Sequence, residues 1–236
     1  VIRDAVVLAA GRGRRLRPLT DHLPKPLVTV GAGTLIDSVL AGVAEAGVAS
    51  VTVVVGYRSG DVIDHLRGAG WITFVHQDEP LGSGHALRLC RSAVGDSPFL
   101  LAWSDIVTDP ADYATVATAF TEDTAAVVGV VAVDDISAGG AVVFGADGSV
   151  TGVVEKPPGT PPSLWNSAGI MALGPHIWPH LDELAPSVRG ELEFTDALAS
   201  LVASGEKVRA VKLRGPWFDV GSRQSLDAAR ASWGQG

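Results

Sequence analysis

The sequence predicts an α/β fold organised on a mainly parallel sheet, and three observations carry that expectation. Apolar runs long enough for one buried strand alternate with helix-period segments as far as Asp105. The first run, residues 5–10, opens onto a Gly-x-Gly turn. Beyond residue 125 the strands follow one another with short turns between, which adds antiparallel strands to a doubly wound parallel core.

Taken in order, residues 5–10 form the first strand. Leu35, Ile36, Val39, Leu40 and Val43 then recur at helical spacing, with Thr34 as cap and Gly47 as stop. Residues 50–56 form a buried strand, 60–66 a helix, 72–76 a strand, 84–93 a helix and 99–103 a strand that ends at Ser104-Asp105. Strands over 125–133, 141–144 and 150–155 follow, with a turn at Asp147-Gly148. Residues 157–162 are a Pro-rich loop, 167–173 a strand, 194–203 a helix, 208–213 a strand and 222–233 a terminal helix. No linker divides the chain, so a single domain over residues 1–236 is expected.

Composition narrows the function. The chain is 47% apolar and 19% charged, a globular balance. A net charge of −8 argues against a general nucleic-acid binder. The lone Cys90 excludes an internal disulfide framework and suits a reducing compartment. The start lacks a signal-peptide apolar region and no run reaches membrane-spanning length, so a cytoplasmic protein without a membrane partner is expected. The six His have no metal-ligand spacing, and no Ser–His–Asp arrangement suggests itself.

Against that acidic background the turn after the first strand is locally basic. Gly11 and Gly13 let the backbone turn and approach a ligand, and successive amides there form a concave anion site. Arg12, Arg14, Arg15, Arg17 and Lys25 bring five cations to it. The turn lacks both the Gly-Lys-Ser/Thr ending of a P-loop and the third Gly of a dinucleotide fingerprint. From these residues alone it reads as a phosphate cradle or as a tight surface turn with solvated arginines.

The longer stretch decides between them. Leu8-Ala9-Ala10-Gly11-x-Gly13-x-Arg15-Leu16-x-Pro18-Leu19-Thr20, followed by Pro24-Lys25-Pro26, resembles the signature of the sugar-phosphate nucleotidyltransferases. Arg14 stands where that family often has a small residue or Thr. The resemblance runs to about Asp227 and implies a Rossmann-like three-layer α/β/α domain with a mixed, mainly parallel sheet. It implies that Arg15 and Lys25 hold the triphosphate and the reacting phosphoryl groups, with Leu8, Ala9, Ala10, Gly11 and Gly13 against the nucleotide. Gln77 and the run from Pro80 through Gly82 to Ala86 look like the family's base-binding loop, above all that of its uridylyltransferases. His85 in that run is given no chemistry.

Asp105 and Asp219 match the family's two acidic positions that bind Mg2+, an ion that prefers oxygen ligands. Ser104 replaces the usual Gly before the first, and the second sits in Trp217-Phe218-Asp219-Val220-Gly221. Without the resemblance each Asp is a turn or cap residue. Glu155-Lys156-Pro157 resembles the family's Glu-Lys-Pro, whose Glu takes sugar hydroxyls and whose Lys meets the sugar phosphate. Asn166, Gly169 and Met171, the last in place of the usual Tyr, lie on a strand like the one beside the hexose. Glu191 and Glu193 are placed along the sugar pocket.

The resemblance implies that an NTP and a sugar 1-phosphate give an NDP-sugar and pyrophosphate. The attack on the α-phosphorus is in line, with no covalent intermediate and no general base. Gln77 carries a donor and an acceptor, which suits a uracil or thymine edge, so UTP or dTTP is expected. A cytidylyl- or guanylyltransferase for another sugar, cyclitol or choline phosphate stays open, as does a silent nucleotide-sugar sensor. The chain ends soon after the matched stretch, so the catalytic domain alone is expected, without an appended acyltransferase or regulatory domain. Oligomeric state is left open.

Overall fold

β1 (Asp4–Leu8) is apolar at every position after Asp4, as suits a strand covered on both faces. The computed structural model describes residues 1–233. After β1 come three 3-10 turns, the short strands β2 (Thr29–Val30) and β3 (Gly33–Thr34), and α1 (Leu35–Glu45). The first half continues with β4 (Ser50–Val55), α2 (Ser59–His65), β5 (Ile72–His76), α3 (Ser83–Arg88), α4 (Arg91–Val94) and β6 (Phe99–Trp103). The second half begins with β7 (Ile106–Thr108), α5 (Pro110–Ala119), β8 (Ala126–Ala132), β9 (Gly140–Phe144), β10 (Val150–Glu155) and β11 (Trp165–Leu173). It closes with α6 (Ile177–Asp182), α7 (Phe194–Ala203), β12 (Val208–Lys212), β13 (Trp217–Asp219) and α8 (Arg223–Trp233).

Nine strands form the main sheet, in the order β10-β9-β11-β6-β1-β4-β5, with β8 beside β11 and β12 beside β8. β1 runs parallel to β4 and β6, and β4 parallel to β5. β11 is antiparallel to β6 and β8, and β9 antiparallel to β10. The parallel first half and the antiparallel additions are both as the sequence predicts.

Helices cover both faces. Val6 and Leu8 pack in a core with Leu87, Trp178, Phe194 and Leu201. Ala5, Val7 and Ala9 point the other way, into a core with Ile36, Val39, Val43, Tyr113 and Val116. This alternation along β1 is the strand period of two. A third, smaller core joins Leu16, Val28, Leu35, Val107, Val220 and Leu226. It ties the basic loop to the C-terminal segment.

Thr34 caps α1 as expected, in a reciprocal capping box with Asp37. The expected helix over 84–93 is two helices, since α3 ends at Arg88 and α4 begins at Arg91. α5 and α6 were not predicted. In α5 the only buried apolar side chains are Tyr113 and Val116, too few to show a helical stripe in an Ala/Thr-rich run. β7 and β13 pair antiparallel off the main sheet, and each is only three residues long.

Candidate active site

The site is built where β1 and β6 end side by side. The two strands run parallel with Leu8 opposite Trp103, so the basic loop and Ser104-Asp105 leave the sheet at the same edge. Ligands of such sheets sit at these carboxyl ends. β13 pairs with β7 so that Asp219 lies opposite Ile106, and Val220 N–H donates to the Asp105 carbonyl at 2.9 Å. A residue from near the end of the chain is thereby set beside Asp105.

Two cavities open there. One, of about 490 Å³, is lined by Leu8, Ala10, Gly11, Arg12, Gly13, Arg14, Arg15, Lys25, Gln77, Pro80 and Gly82. The other, of about 240 Å³, is lined by Glu155, Lys156, Asn166, Gly169, Glu193 and Asp219. Ser83, Trp103 and Asp105 line both.

Charge concentrates at the junction. Lys25, buried in a loop, sets its ammonium against Asp105 Oδ2. Burial and the negative charge of Asp105 push the Asp219 carboxyl up to about 6, against the opposing pull of Lys25, Arg15 and Lys156. Asp219 Oδ1 is buried without a hydrogen-bond partner. Two neighbouring carboxylates, one with an orphaned oxygen, fit an oxygen-seeking dication. Among the described residues no group of three or more His, Cys, Asp or Glu is gathered.

Arg15 is held by the shape of its neighbour. A Cβ on Gly221 would stand 2.6 Å from Arg15 Nη2 and 3.1 Å from its Cζ. The guanidinium therefore lies directly on the Gly221 backbone, beside Asp219.

The model of the nucleotidyl transferase family matches residues 4–235. The chain belongs to this family. It is 34% identical over 233 residues to UTP–glucose-1-phosphate uridylyltransferase AglF of Haloferax volcanii, a match covering 96% of this chain and 94% of that one. It is 32% identical over 220 residues to the bifunctional protein GlmU of Methanococcus maripaludis, covering 92% of this chain and 51% of that one. The chain thus spans about half the length of such GlmU relatives. A protein from Bacillus anthracis assigned as a glucose-1-phosphate thymidylyltransferase, solved with sucrose, superposes with a TM-score of 0.89 at 26% identity, covering 100% of this chain and 96% of that one.

Within this member of the family several residues sit differently from the sequence-based expectation. Ala9 does not line the larger cavity. It is 1% exposed and packs with Val7 and Val55, because strand alternation turns it away from Leu8 and Ala10. Arg17 is also outside, pairing with Asp21 at 3.0 Å in an exposed turn. Glu191 lines the larger cavity and not the smaller one, where Glu193 stands.

Gln77 differs in its chemistry. Its amide nitrogen donates to the Gly82 carbonyl at 3.0 Å and lies 3.1 Å from His85 Nδ1. A carbonyl can only accept, so that end of the amide is its nitrogen, and one of its two hydrogens is bound within the protein. Gly82 is held at φ +110°, and a Cβ there would lie 2.5 Å from the Leu192 carbonyl oxygen. Gly84 N–H donates to that same carbonyl at 2.8 Å, and Leu192 N–H donates to the Leu81 carbonyl at 2.7 Å.

The smaller cavity carries an ionic wall. Glu155 accepts from Thr195 Oγ1 at 2.7 Å and lies 3.3 Å from Lys156 Nζ. Arg189 bridges Glu193 at 2.8 Å and Glu155 at 3.8 Å. Asn166 Oδ1 is buried without a partner, and Gly169 sits where the β11–β8 register slips. Sequence reasoning missed Arg189, which lies in a polar loop without periodicity. It also missed Trp103, whose ring packs edge-on against Phe194 at 5.5 Å and walls both cavities. The only available signal for Trp103 was its place two residues before Asp105.

Proposed function

We propose that this chain joins an NTP to a sugar 1-phosphate, giving an NDP-sugar and pyrophosphate. The observation that carries the reading is the meeting of a cationic cavity and an acid-lined cavity at Asp105, with Lys25 against it. The larger cavity receives the NTP, with Arg15, Arg14 and Lys25 near its phosphates. The smaller receives the sugar phosphate. Glu155 and Glu193 accept hydrogen bonds from sugar hydroxyls, and Lys156 neutralises the phosphate.

Two polyanions must meet for this reaction, and their oxygens repel. Lys25 and Arg15 offset that repulsion and stabilise charge developing on the phosphoryl groups being transferred. Holding the attacking phosphate oxygen in line with the α-phosphorus converts a bimolecular encounter into a positioned one. A phosphate monoester is largely ionised at neutral pH, so no side chain has to remove a proton. Asp105 and Asp219 are the residues we assign to Mg2+, which when bound polarises phosphate oxygens. Before binding, Lys25 holds Asp105 in place for it.

The Gln77 acceptor fits a base with an N–H at its pairing edge. Uracil and thymine have one at N3, whereas cytosine presents a lone pair there. The uridylyltransferase named among the relatives uses the same class of base. UTP or dTTP is therefore the proposed donor, with glucose 1-phosphate the first acceptor to try. A pyrophosphate-release assay of five NTPs against a panel of sugar 1-phosphates tests this. Release with UTP or dTTP and one sugar phosphate is the expected result. No release from any pair would overturn the reaction, and best use of GTP, ATP or CTP would overturn the base.

A further inference from the structure

We propose that Tyr57 is a positioning residue for the triphosphate, which holds the Arg12 cation at the rim of the larger cavity. The inference rests on the reading that this cavity takes a nucleoside triphosphate.

Tyr57 reaches the basic loop because β1 and β4 leave the sheet together. Leu8 lies opposite Val54, and the Ala9 N–H continues that ladder to the Val54 carbonyl at 2.9 Å. Gly56 then packs on Ala10 so closely that a Cβ there would stand 2.9 Å from the Ala10 Cβ. Tyr57, the next residue, therefore starts beside the point where the loop begins. Its N–H donates to the Ala10 carbonyl at 3.4 Å.

The side chain makes two further contacts with the loop. Its O–H donates to the Asp21 carbonyl at 3.0 Å. A carbonyl can only accept, so the direction of this bond is fixed. The Arg12 guanidinium carbon lies over the ring, 5.2 Å from its centre. At that distance the negative face of the ring attracts a cation. One phenol thus touches the loop near its start and again at Asp21, which anchors the ring. The two arms are also drawn together from inside, since Thr20 Oγ1 donates to the Gly13 carbonyl at 2.7 Å.

Arg12 has no comparable hold elsewhere. Its neighbours Arg17 and Arg58 are each paired with an aspartate, Asp21 and Asp61. Among the described residues no carboxylate pairs with Arg12, which lines the larger cavity from an exposed position. Fixing a free arginine when a ligand arrives costs rotamer entropy. The Tyr57 ring restricts that freedom beforehand, and such preorganisation strengthens binding. A ring contact uses the face of a guanidinium and leaves its N–H edge for phosphate oxygens. What Tyr57 contributes should therefore grow with the number of phosphates on the ligand.

UTP and UMP share base and ribose and differ in their phosphates. Calorimetry on the full chain, with Mg2+ and each nucleotide in turn, compares the parent, Tyr57→Leu, Tyr57→Phe, Arg12→Ala and the double variant Arg12→Ala with Tyr57→Leu. The UTP-over-UMP affinity ratio should fall about threefold in Tyr57→Leu, the scale of one exposed cation–π contact. Tyr57→Phe keeps the ring but frees it from Asp21, and its ratio should fall part of the way. Adding Tyr57→Leu to Arg12→Ala should lower the ratio no further, because both changes remove one interaction. Should Tyr57→Leu fail to fold, Tyr57→Phe takes its place in the same comparison. A Tyr57 that only supports the fold would weaken both nucleotides together. An unchanged ratio in Tyr57→Leu or in Arg12→Ala, or fully additive losses in the double variant, overturns the role of Tyr57 alone. A parent that binds neither nucleotide overturns the nucleotide reading of the cavity, and this inference with it.

Discussion

The Lys25 ammonium sits against Asp105 Oδ2, joining the basic loop to the carboxylate that follows β6, eighty residues apart in sequence. Each charge makes the burial of the other tolerable, and both face the junction of the two cavities. Neither residue is held by a long helix or strand of its own. Their positions come from β1 and β6 lying side by side.

Removing Lys25 should therefore act on chemistry more than on fold. We expect Lys25→Ala to lower kcat by roughly 10²–10³, the scale for losing one group that stabilises developing charge. Steady-state kinetics with UTP and a sugar 1-phosphate provide the measurement. A variant turning over at the parent rate would take Lys25 out of the mechanism.

Asp105→Asn and Asp219→Asn each keep shape and lose a charge. In both, activity should require a higher Mg2+ concentration for half-maximal rate. The readout is rate against Mg2+ concentration at saturating substrates. If either variant titrates like the parent, that residue is a turn former and not a ligand.

Asp219 also predicts a pH dependence of stability in metal-free protein. Its ordinary value is 3.8, and the fold raises it to about 6. Above about pH 6 the folded chain bears the full cost of a buried carboxylate that the unfolded chain exposes. As pH falls from about 6 to 3.8 the folded chain gains a proton first, and the cost is relieved. The cost above pH 6 is at most about 3 kcal/mol. With a chelator present, Asp219→Asn should melt above the parent at pH 8, and the gap should close by pH 4. A gap that does not change with pH would mean that Asp219 is not raised.

Gly221 should matter through Arg15. An added methyl has to displace the guanidinium, since the Cβ position lies within 2.6 Å of it. We expect Gly221→Ala to lower kcat/KM by roughly 10²-fold, as for a reacting group displaced by about 1 Å. Adding Arg15→Ala to it should then cost little more, because the two changes remove one interaction. Fully additive losses would separate the two residues.

Much of this was legible in the sequence because the parallel core is made of strands buried on both faces. Such strands are unbroken apolar runs, and β6 starts and stops where its run does. Asp105 was legible for a related reason, since it is the first charge after such a run. What escaped notice has no period to find. β7 and β13 are three residues each and are defined only by one another. Arg189 comes from a polar loop, and its partners Glu155 and Glu193 are recognised only once α7 lies against β10. Ala9 lies within the same motif, yet the pleat turns its side chain inward, which only the strand's place in the sheet reveals. Gln77 was found, but which end of its amide is bound depends on the Gly82 carbonyl, five residues on.

The clasp between the 81–84 segment and Leu192 has a practical meaning for anyone who wishes to redesign the donor. Gly82 and Gly84 touch Leu192 backbone too closely for any other side chain to fit, and two main-chain hydrogen bonds join the segments. Glu193, next along, lines the smaller cavity, which we assign to the sugar phosphate. A loop transplanted from a relative with a different base would arrive without its mate and would pull on the acceptor side. Residues 77–86 and 190–194 form one exchangeable cassette, and a chimera has to carry both halves to leave the sugar compartment undisturbed.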